Sequence, residues 1–445
     1  MKPNAIYICG GGGTAVINGS ASGLFDHALK EYRSCISSFF AAVGGMRGAL
    51  NEDITDVFSH DFNHIKQYSA PAFGTSRHVP DAQDCSRLID VFVAHNIQYV
   101  FLNGGNDTME KAIILRQFSQ EKGIPLYIVG IPKTIDNDLL VTHRCPGYAT
   151  FAKYLALKVI GMQQDLYSFR TNTTNCSVKE GGVAQILVSM GRDCGWGAAA
   201  SVLVNDECLG PHVVLTPEGG FCEQAFLDKC QNAFDMQKTL FVVASEGVKD
   251  EEYLANNLEV YLKNGLRWKY HKDAHKNNSV TDSRLGLYLK LLLENKLRIP
   301  ANIFKDFKVR ESGPCYSERN HPLILSQYDF QDAVAVGRTA ADVAFSGIGG
   351  VMIILVSGVG NTSYTALESV ANLGAGSKRM VKNLSCLKNV LSSDGLMVNA
   401  KVMNDYVGSI VDIHGPNRDF LCTGLPLSRV TWHLVEKKLS IYNKV

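Results

Sequence analysis

Short apolar runs alternate with amphipathic stretches along this chain, and many of these runs are followed by glycine and a polar or charged side chain. Residues 5–9, 98–102 and 126–131 have the length and composition of buried strands, while 86–96 and 150–162 have the pattern of helices. Strands that alternate with helices form a mostly parallel sheet, and the helices cover its faces. The pattern therefore predicts the α/β fold class.

A second series of strand-sized runs follows, and each run again ends in glycine with an acid or an arginine. These runs are 185–189, 213–215 and 240–244. A chain of 445 residues is too long for one small core, so we expect two lobes or one large elaborated α/β unit. The polar segment at about 249–307 is typical of an insertion, which we expect to be helical from about Leu285 to Leu297.

Composition limits the partners and the compartment. The net charge is +1, so no basic excess favours nucleic acid or an anionic membrane surface. The twelve cysteines include no C-x-x-C pair, which indicates free thiols in a reducing compartment. The longest apolar runs are strand-sized, and we therefore expect a soluble, cytoplasmic protein.

Reactive side chains follow the run at 126–131. The residues that come next are Lys133, Thr134, Asp136, Asn137 and Asp138. In α/β folds, ligands bind beyond the carboxyl ends of strands, so functional groups are expected here. One carboxylate can act as a base on a substrate hydroxyl, and the other can order a metal ion or water. The lysine supplies the fixed positive charge that phosphoryl transfer needs.

Two glycine-rich segments are candidate phosphate sites. The run Gly10–Gly13 exposes backbone N–H groups, and a helix beginning there would direct its positive end at a phosphate; a simple tight turn is the alternative. Gly104 and Gly105 would admit a phosphate, and Asp107 can bind Mg²⁺. Here the alternative is a helix N-terminus capped by Asn106, Asp107 or Thr108.

Four arginines follow short turns or bracket an aromatic residue, and each can clamp an anion with its planar fork of donors. Arg77 ends the turn 73–77, Arg192 follows Met190 and Gly191, and Arg310 and Arg319 bracket Tyr316. Each is equally compatible with an exposed surface arginine.

Taken in order, these motifs resemble one family, the 6-phosphofructokinases, and specifically their pyrophosphate-dependent members. The resemblance covers roughly residues 5–345, and its motifs are Gly11-Gly12, 74–77, Gly104-Gly105, 132–138, 146–148, 190–192 and 245–247. It implies two Rossmann-like three-layer α/β/α lobes with mostly parallel sheets. The diphosphate and magnesium lobe would span 1–138 and the fructose 6-phosphate lobe 139–400, with the insertion inside it and a later part crossing back, followed by a tail at 401–445.

The resemblance implies a reversible reaction of glycolysis and gluconeogenesis, in which fructose 6-phosphate and diphosphate give fructose 1,6-bisphosphate and phosphate, with Mg²⁺ as cofactor. Asp136 would be the base, supported by Thr134, Asp138, Lys133 and Arg192. The protein would be a homodimer or a higher homo-oligomer. Diphosphate would be held by Gly11, Gly12, Arg77, Asp107, Thr108 and Lys133; the sugar phosphate by Thr134, Asp136, Met190, Gly191, Arg192, Glu246, Arg310, Tyr316 and Arg319; and Mg²⁺ by Asp107 and Asp138.

Two side chains bear on the choice of phosphoryl donor. ATP-using relatives carry glycine at the positions of Asp107 and Lys133, which leaves room for the nucleoside part of the donor. A carboxylate at 107 would repel an α-phosphate, and a lysine at 133 would compensate the charge of the leaving phosphate. Both residues therefore favour diphosphate over ATP, although an ATP-dependent phosphofructokinase remains the alternative enzyme.

The chain also departs from the family pattern. Asn106 replaces an acid often assigned to Mg²⁺, Val183 replaces an arginine, and Glu318 replaces a glutamine. His143 and Arg144 replace a more typical acid-containing pair. A lone histidine is more often structural or exposed than catalytic, so we assign His143 no catalytic role. These departures keep open a second alternative, a non-catalytic regulatory subunit that retains the fold, but the intact acids of 136–138 favour an active enzyme.

Overall fold

The computed structural model describes residues 2–78, 80–169, 183–248, 285–299, 307–358, 362–373, 381–416, 432–440 and 442. Its strands are Asn4–Cys9 (β1), Phe39–Ala42 (β2), Ile54–Asp56 (β3), Ile97–Gly104 (β4), Tyr127–Pro132 (β5), Val183–Ser189 (β6), Val213–Leu215 (β7), Thr239–Ser245 (β8), Lys308–Ser312 (β9), Val351–Ser357 (β10) and Ser363–Ser369 (β11).

The helices lie between and after these strands. They are Ile17–Glu31 (α1), Gly45–Leu50 (α2), Ala82–Ala94 (α3), Asn106–Glu121 (α4), Tyr148–Phe169 (α5), Trp196–Ala200 (α6), Glu223–Gln237 (α7), Leu285–Lys296 (α8), Ser317–Asn320 (α9), Gln327–Phe345 (α10), Ala400–Met403 (α11) and Ser409–Val411 (α12). Helix α8 agrees with the helix expected inside the insertion, whose residues 249–284 and 300–306 lie outside the described part of the chain.

The chain divides into two compact units. The first joins Met1–Phe151, Arg319–Lys382 and Ile410–Val445, and the second joins Ala152–Glu318 and Asn383–Ser409. These units differ from the continuous ranges expected from the sequence, because strands β10 and β11 return to the sheet of the first unit. A return of late strands to the first lobe is what the family resemblance implies.

The first unit contains a seven-stranded sheet in the order β11-β10-β5-β4-β1-β2-β3. The pairs from β2 through β1, β4 and β5 to β10 are parallel, and the two outermost strands, β3 and β11, are antiparallel to their neighbours. The parallel centre confirms the predicted α/β class. Helices cover both faces of this sheet, and successive side chains of a strand point to opposite faces. The side chains of the central strands are therefore buried on both faces, and almost all of them are apolar.

Two apolar cores lie on the opposite faces of this sheet. Ala5, Tyr7 and Cys9 of β1 pack into one core with α1 and α10, while Ile6 and Ile8 pack into the other with α2, α3 and α4. Helices α1 and α10 pass very close to each other: a Cβ added at α10 Gly337 would stand 2.1 Å from a backbone oxygen of α1. Glycine is therefore required at that crossing.

The second unit contains a four-stranded sheet, all parallel, in the order β7-β8-β6-β9. Its core joins apolar side chains of β6 and β8 to helices α7 and α8. Each parallel strand delivers its C-terminal loop to the same edge of the sheet, so the segments after β6 and β8 become neighbours. No helix among the described residues is both long and apolar enough to cross a membrane.

The described residues 432–440 and 442, which the sequence assigns to an irregular tail, belong to the first unit and pack on its N-terminal part. The Trp432 ring lies 4.5 Å from that of Phe73, and its Nε1 donates to the Ala72 carbonyl at 3.1 Å. Further along, the buried Glu52 carboxylate accepts hydrogen bonds from the backbone N–H groups of Lys438 and Leu439. The tail is therefore anchored by backbone and ring contacts that carry no sequence periodicity.

Candidate active site

In the first unit, the glycine loop after β1 runs beside the segment that carries Arg77. Gly10 forms a parallel bridge with Ser76, and the Gly11 N–H donates to the Ser76 carbonyl at 3.1 Å. The Thr75 hydroxyl donates to the Gly11 carbonyl at 2.7 Å. Gly11 has a φ of +76°, a conformation that favours glycine. Two segments predicted to bind the phosphoryl donor are thus joined, and the exposed Arg77 directly follows their contact.

Lys133 lies beneath this loop at the end of β5. Its side chain is only 3% exposed, and Nζ donates to the carbonyl of Gly10 at 2.9 Å and to that of Gly12. Burial lowers the pKa of Lys133 below its ordinary value; Cys9 and Asp136 oppose this shift, while the charges of Arg319 and Arg77 add to it. The buried amine of Lys133 therefore supports, through its two hydrogen bonds, the loop on which an anion would rest.

Arg319 also lies against the glycine loop. A Cβ added at Gly12 would stand 2.8 Å from a guanidinium nitrogen of Arg319, so a larger residue at position 12 would make this guanidinium shift. The family resemblance assigns Arg319 to the sugar phosphate, and the fold brings it to the loop assigned to diphosphate. Nothing in the local sequence signals this proximity, because the two residues are far apart along the chain.

Helix α4 begins directly after the second glycine pair. Its N-cap is Gly105, which forms no side-chain cap, so Asn106, Asp107 and Thr108 occupy the first helical turn. The expectation that one of these three side chains caps the helix is therefore wrong at the N-cap position itself. Asp107 is half-buried in that turn, where a negative charge is favoured by the helix dipole.

Thr108 has a packing role. Its side chain is buried, and a Cβ added at Gly104 or Gly10 would stand 2.0 or 2.4 Å from its Oγ1. The two glycines therefore make room for this threonine between the ends of β1 and β4. A contact between Thr108 and diphosphate stays a prediction.

The acidic loop after β5 is held by hydrogen bonds within itself and to α4. The Asp136 N–H donates to Thr134 Oγ1 at 3.0 Å, and the Asn106 side-chain amide donates to Asp138 Oδ2 at 2.7 Å. Asp138 is 2% exposed, whereas Asp136 and Thr134 are half-buried. Asp136 is thus the carboxylate of this loop that a substrate hydroxyl can reach.

Within the described ranges, no group of three or more His, Cys, Asp or Glu side chains is arranged to hold a metal ion. His143 is also unsuited to proton transfer near neutrality, because burial, together with the charges of Arg144 and Lys382, lowers its pKa to about 4.

In the second unit, the loops after β6 and β8 are bonded to each other. The Gly191 N–H donates to the Glu246 carboxylate at 3.2 Å, and the Gly247 N–H donates to the Gly191 carbonyl at 2.9 Å. Gly191 has a φ of +136°, and a Cβ there would stand 2.7 Å from the Cys194 carbonyl oxygen. Met190, Gly191 and Glu246, three of the predicted sugar-phosphate residues, are therefore brought together, with the half-buried Arg192 next in the chain.

Glu318 supports the same loop from below. It is 2% exposed, its Oε2 accepts a hydrogen bond from the Met190 N–H at 3.0 Å, and its Oε1 lies 3.6 Å from Lys158 Nζ. Burial raises the pKa of Glu318, while these two partners act in the opposite direction. The sequence signals Glu318 only as a departure from the family, and the fold gives it a supporting role.

Arg310 and Tyr316 lie nearer the surface. The Arg310 guanidinium forms an ion pair of 2.9 Å with Asp165 of α5, and both side chains are about half exposed. Tyr316 is 53% exposed in the turn before α9. Their assignment to the sugar phosphate stays a prediction.

The chain is similar to known proteins in sequence and in structure. Residues 4–283 match the family model described as phosphofructokinase. The chain is 31% identical over 370 residues to the pyrophosphate–fructose 6-phosphate 1-phosphotransferase of Xanthomonas campestris pv. campestris, covering 79% of each chain, and 32% identical over 368 residues to that of Methylococcus capsulatus, again covering 79% of each.

Solved structures give the same result. The crystal structure of a pyrophosphate-dependent phosphofructokinase from Marinobacter aquaeolei superposes with a TM-score of 0.80 at 27% identity, and the alignment covers 100% of both chains. A family model that matches more than half of the chain, relatives above 30% identity and a shared fold all point the same way. This chain belongs to the phosphofructokinase family.

Proposed function

We propose that this protein transfers a phosphoryl group between diphosphate and the 1-hydroxyl of fructose 6-phosphate, reversibly, to give fructose 1,6-bisphosphate and phosphate. One observation carries the proposal: a buried lysine, Lys133, supports a glycine loop whose flanks present Arg77 and Arg319, beside a loop with the accessible carboxylate of Asp136. The names of the relatives, which are diphosphate-dependent enzymes acting on fructose 6-phosphate, supply the substrates.

Asp136 is the proposed base. It takes the proton of the 1-hydroxyl while that oxygen forms a bond to the transferred phosphorus, and the bond from this phosphorus to the bridging oxygen of diphosphate breaks. The products are the sugar bisphosphate and inorganic phosphate. The Thr134 hydroxyl orients Asp136 because it accepts a hydrogen bond from the Asp136 N–H. Lys133, Arg77 and Gly11-Gly12 bind the phosphoryl donor and neutralise its charge.

The sugar phosphate is proposed to bind the second unit's loops through Met190, Gly191, Arg192 and Glu246. What supports this is the bonding of both loops around Gly191, which fixes backbone and side chains before any ligand arrives. Arg310, Tyr316 and Arg319 complete the proposed set.

Mg²⁺ is the proposed cofactor, held by Asp107 and Asp138. Mg²⁺ is usually bound through one or two protein carboxylates and keeps phosphate oxygens and water as its other ligands, so a pair of acids at the first turn of α4 and on the adjacent loop fits it. When bound, it would neutralise charge on diphosphate.

We also propose that the protein acts in the cytoplasm as a homodimer or a higher homo-oligomer.

The experiment is turnover with diphosphate and with ATP, each with fructose 6-phosphate and Mg²⁺. We expect turnover with diphosphate and far less with ATP, because Asp107 and Lys133 restrict the donor space. Dominant use of ATP would replace the proposal with an ATP-dependent phosphofructokinase. Binding of fructose 6-phosphate without turnover on either donor would support the non-catalytic subunit instead.

The steric account of donor choice has its own variant, Asp107→Gly with Lys133→Gly. We expect the ratio of ATP to diphosphate turnover to rise. Lys133 also donates hydrogen bonds to the carbonyls of Gly10 and Gly12, so its replacement would disturb the glycine loop. The single variant Asp107→Gly leaves those two bonds in place and therefore tests donor choice more directly than the double variant. An unchanged donor ratio in both proteins would contradict the account.

A further inference from the structure

The loop that follows Asp136 contains two residues in the left-handed region of backbone space. Asn137 has a φ of +53° and Val141 a φ of +61°. Asparagine tolerates this region, but a β-branched residue there is strained by contacts between its Cβ and the backbone. The Val141 side chain is also 48% exposed, so little apolar burial compensates for the strain. Contacts from elsewhere must therefore hold this loop in its path.

Lys382 supplies such contacts from a distant part of the chain. Its Nζ donates to three oxygens of one loop: Asn137 Oδ1 at 3.1 Å, the Thr142 carbonyl at 3.0 Å and the His143 carbonyl at 2.8 Å. An ammonium has three N–H donors, so these acceptors satisfy all of them. The Lys382 backbone N–H donates in addition to the Asp138 carbonyl at 2.9 Å.

These four bonds span the strained segment from end to end. Two of them fix Asn137 and Asp138 at its start, and two fix Thr142 and His143 immediately after Val141. Hydrogen bonds from a charged donor are stronger than neutral ones, and an apolar side chain cannot donate to these acceptors. Strain at a functional loop persists only where the surroundings over-determine it.

We infer that Lys382 is a positioning residue for the reaction: it holds the segment 137–143, which contains the left-handed Asn137 and Val141, in its path and so fixes the directions of Asp136 and Asp138. The four bonds described above reach Asn137, Asp138, Thr142 and His143, and none of these four involves the Asp136 carboxylate. The inference rests on the proposed function in so far as it assigns Asp136 and Asp138 to the chemistry. The bonding of Lys382 to the loop stands independently of that function.

The first test compares Lys382→Met with Lys382→Arg. We expect kcat of the Met variant to fall at least tenfold, while KM for diphosphate and KM for fructose 6-phosphate stay within about threefold of the unchanged protein. A misoriented Asp136 carboxylate destabilises the transition state more than it weakens substrate binding. The Arg variant should recover part of kcat, since its planar fork cannot reach all three oxygens. Lys437→Met, which removes a surface ion pair with Asp53, is the matched control and should leave kcat within twofold.

The second test is a double-mutant cycle with Val141→Gly, which relieves the strain that Lys382 is inferred to hold. We expect the kcat loss caused by Lys382→Met to be at least threefold smaller in the Val141→Gly background. Equal losses in both backgrounds, or a kcat within twofold of the unchanged protein in a folded Lys382→Met variant, would overturn the inference. A rise of both KM values with an unchanged kcat would also overturn it.

The melting temperatures of the four proteins of the cycle separate this inference from the proposed function. These proteins are the unchanged protein, Lys382→Met, Val141→Gly and the double variant. If the unchanged protein has no diphosphate-dependent turnover, the proposed function fails, but non-additive melting shifts between positions 382 and 141 would still support the role of Lys382 in the loop. Additive melting shifts would contradict the role of Lys382 in the loop. If Lys382→Met does not fold, Lys382→Gln retains one side-chain amide that can donate, and the same cycle applies to it.

Discussion

The side-chain amide of Asn106 donates a hydrogen bond of 2.7 Å to Oδ2 of Asp138. Asp138 is almost fully buried, and two carboxylates at this separation would repel each other unless a cation or a proton lay between them. An amide at position 106 instead satisfies the Asp138 carboxylate without any metal. The organisation of this loop is therefore built into the protein alone, and Mg²⁺ would add to it.

The first prediction concerns Asn106→Asp, which places two acids side by side. Without metal, we expect the variant to lose about 1–3 kcal/mol of stability, because a bond to a buried charge is replaced by repulsion. Millimolar Mg²⁺ should restore most of this loss in the variant and stabilise the unchanged protein less. Thermal unfolding with and without Mg²⁺ measures both effects. A loss of stability that Mg²⁺ does not reverse would contradict the prediction.

The central parallel sheet and the chemistry at its edge could be predicted from the sequence, for a physical reason. A strand buried on both faces must be apolar throughout, so β1, β4, β5, β6 and β8 stand out as short runs. Their loops lie at the carboxyl edge by the geometry of parallel sheets. Local sequence therefore located the residues of each loop, including Lys133 and Asp136.

Contacts between segments that are distant in the chain could not be predicted in this way. The approach of Arg319 to Gly12, the bonds of Lys382 to the acidic loop and the support of Met190 by Glu318 leave no local pattern. Strand β10 is a recognisable apolar run and β11 is not, and the return of both strands to the first sheet depends on pairing, which the resemblance suggested and periodicity did not. Residues 432–440 and 442 are held by ring contacts, backbone hydrogen bonds, an ion pair and scattered apolar contacts, and this mixture has no period to detect.

The second prediction concerns stability against pH and rests on Asp329. This buried carboxylate accepts hydrogen bonds from the N–H groups of Gly147 and Thr150 at the start of α5. Burial nevertheless raises its pKa to about 6 from the ordinary 3.8. A raised pKa means that the folded protein keeps a proton that the unfolded chain has lost, so the stabilising contribution is complete below about pH 4 and disappears as the pH rises through 6.

Asp329→Asn cannot titrate and should lose this slope between about pH 4 and pH 6. It should also be less stable than the unchanged protein at its best pH, because an amide oxygen can accept only on one side. Urea unfolding at several pH values measures the slope, and each pKa unit corresponds to about 1.4 kcal/mol. Asp26→Asn, at a surface ion pair with Lys66, is the control and should retain the slope. An unchanged slope in Asp329→Asn would refute the assignment.

The third prediction separates charge from hydrogen bonding at Glu318. Glu318→Gln keeps an oxygen that can accept from the Met190 N–H, whereas Glu318→Ala leaves that buried N–H without its acceptor. We expect the Ala variant to lose about 1–3 kcal/mol of stability and to raise KM for fructose 6-phosphate clearly more than the Gln variant does. Steady-state kinetics and thermal melting decide between them. Equal KM values for both variants would mean that Glu318 acts through its charge or not at all.

The fourth prediction concerns the C-terminal segment and the donor loop. Trp432 packs on Phe73, the first residue of the turn 73–77 that ends in Arg77, and bonds the carbonyl of Ala72 immediately before that turn. Trp432→Ala should cost about 2 kcal/mol of stability, since a partly buried aromatic ring is lost, and should raise KM for diphosphate severalfold while KM for fructose 6-phosphate changes little. Trp432→Phe keeps the ring contact but lacks the indole N–H, so its stability and its KM for diphosphate should lie between those of the unchanged protein and of Trp432→Ala. A stability loss in Trp432→Ala with an unaltered KM for diphosphate would show that this segment only strengthens the fold, because a loosened Arg77 turn must bind its anion less well.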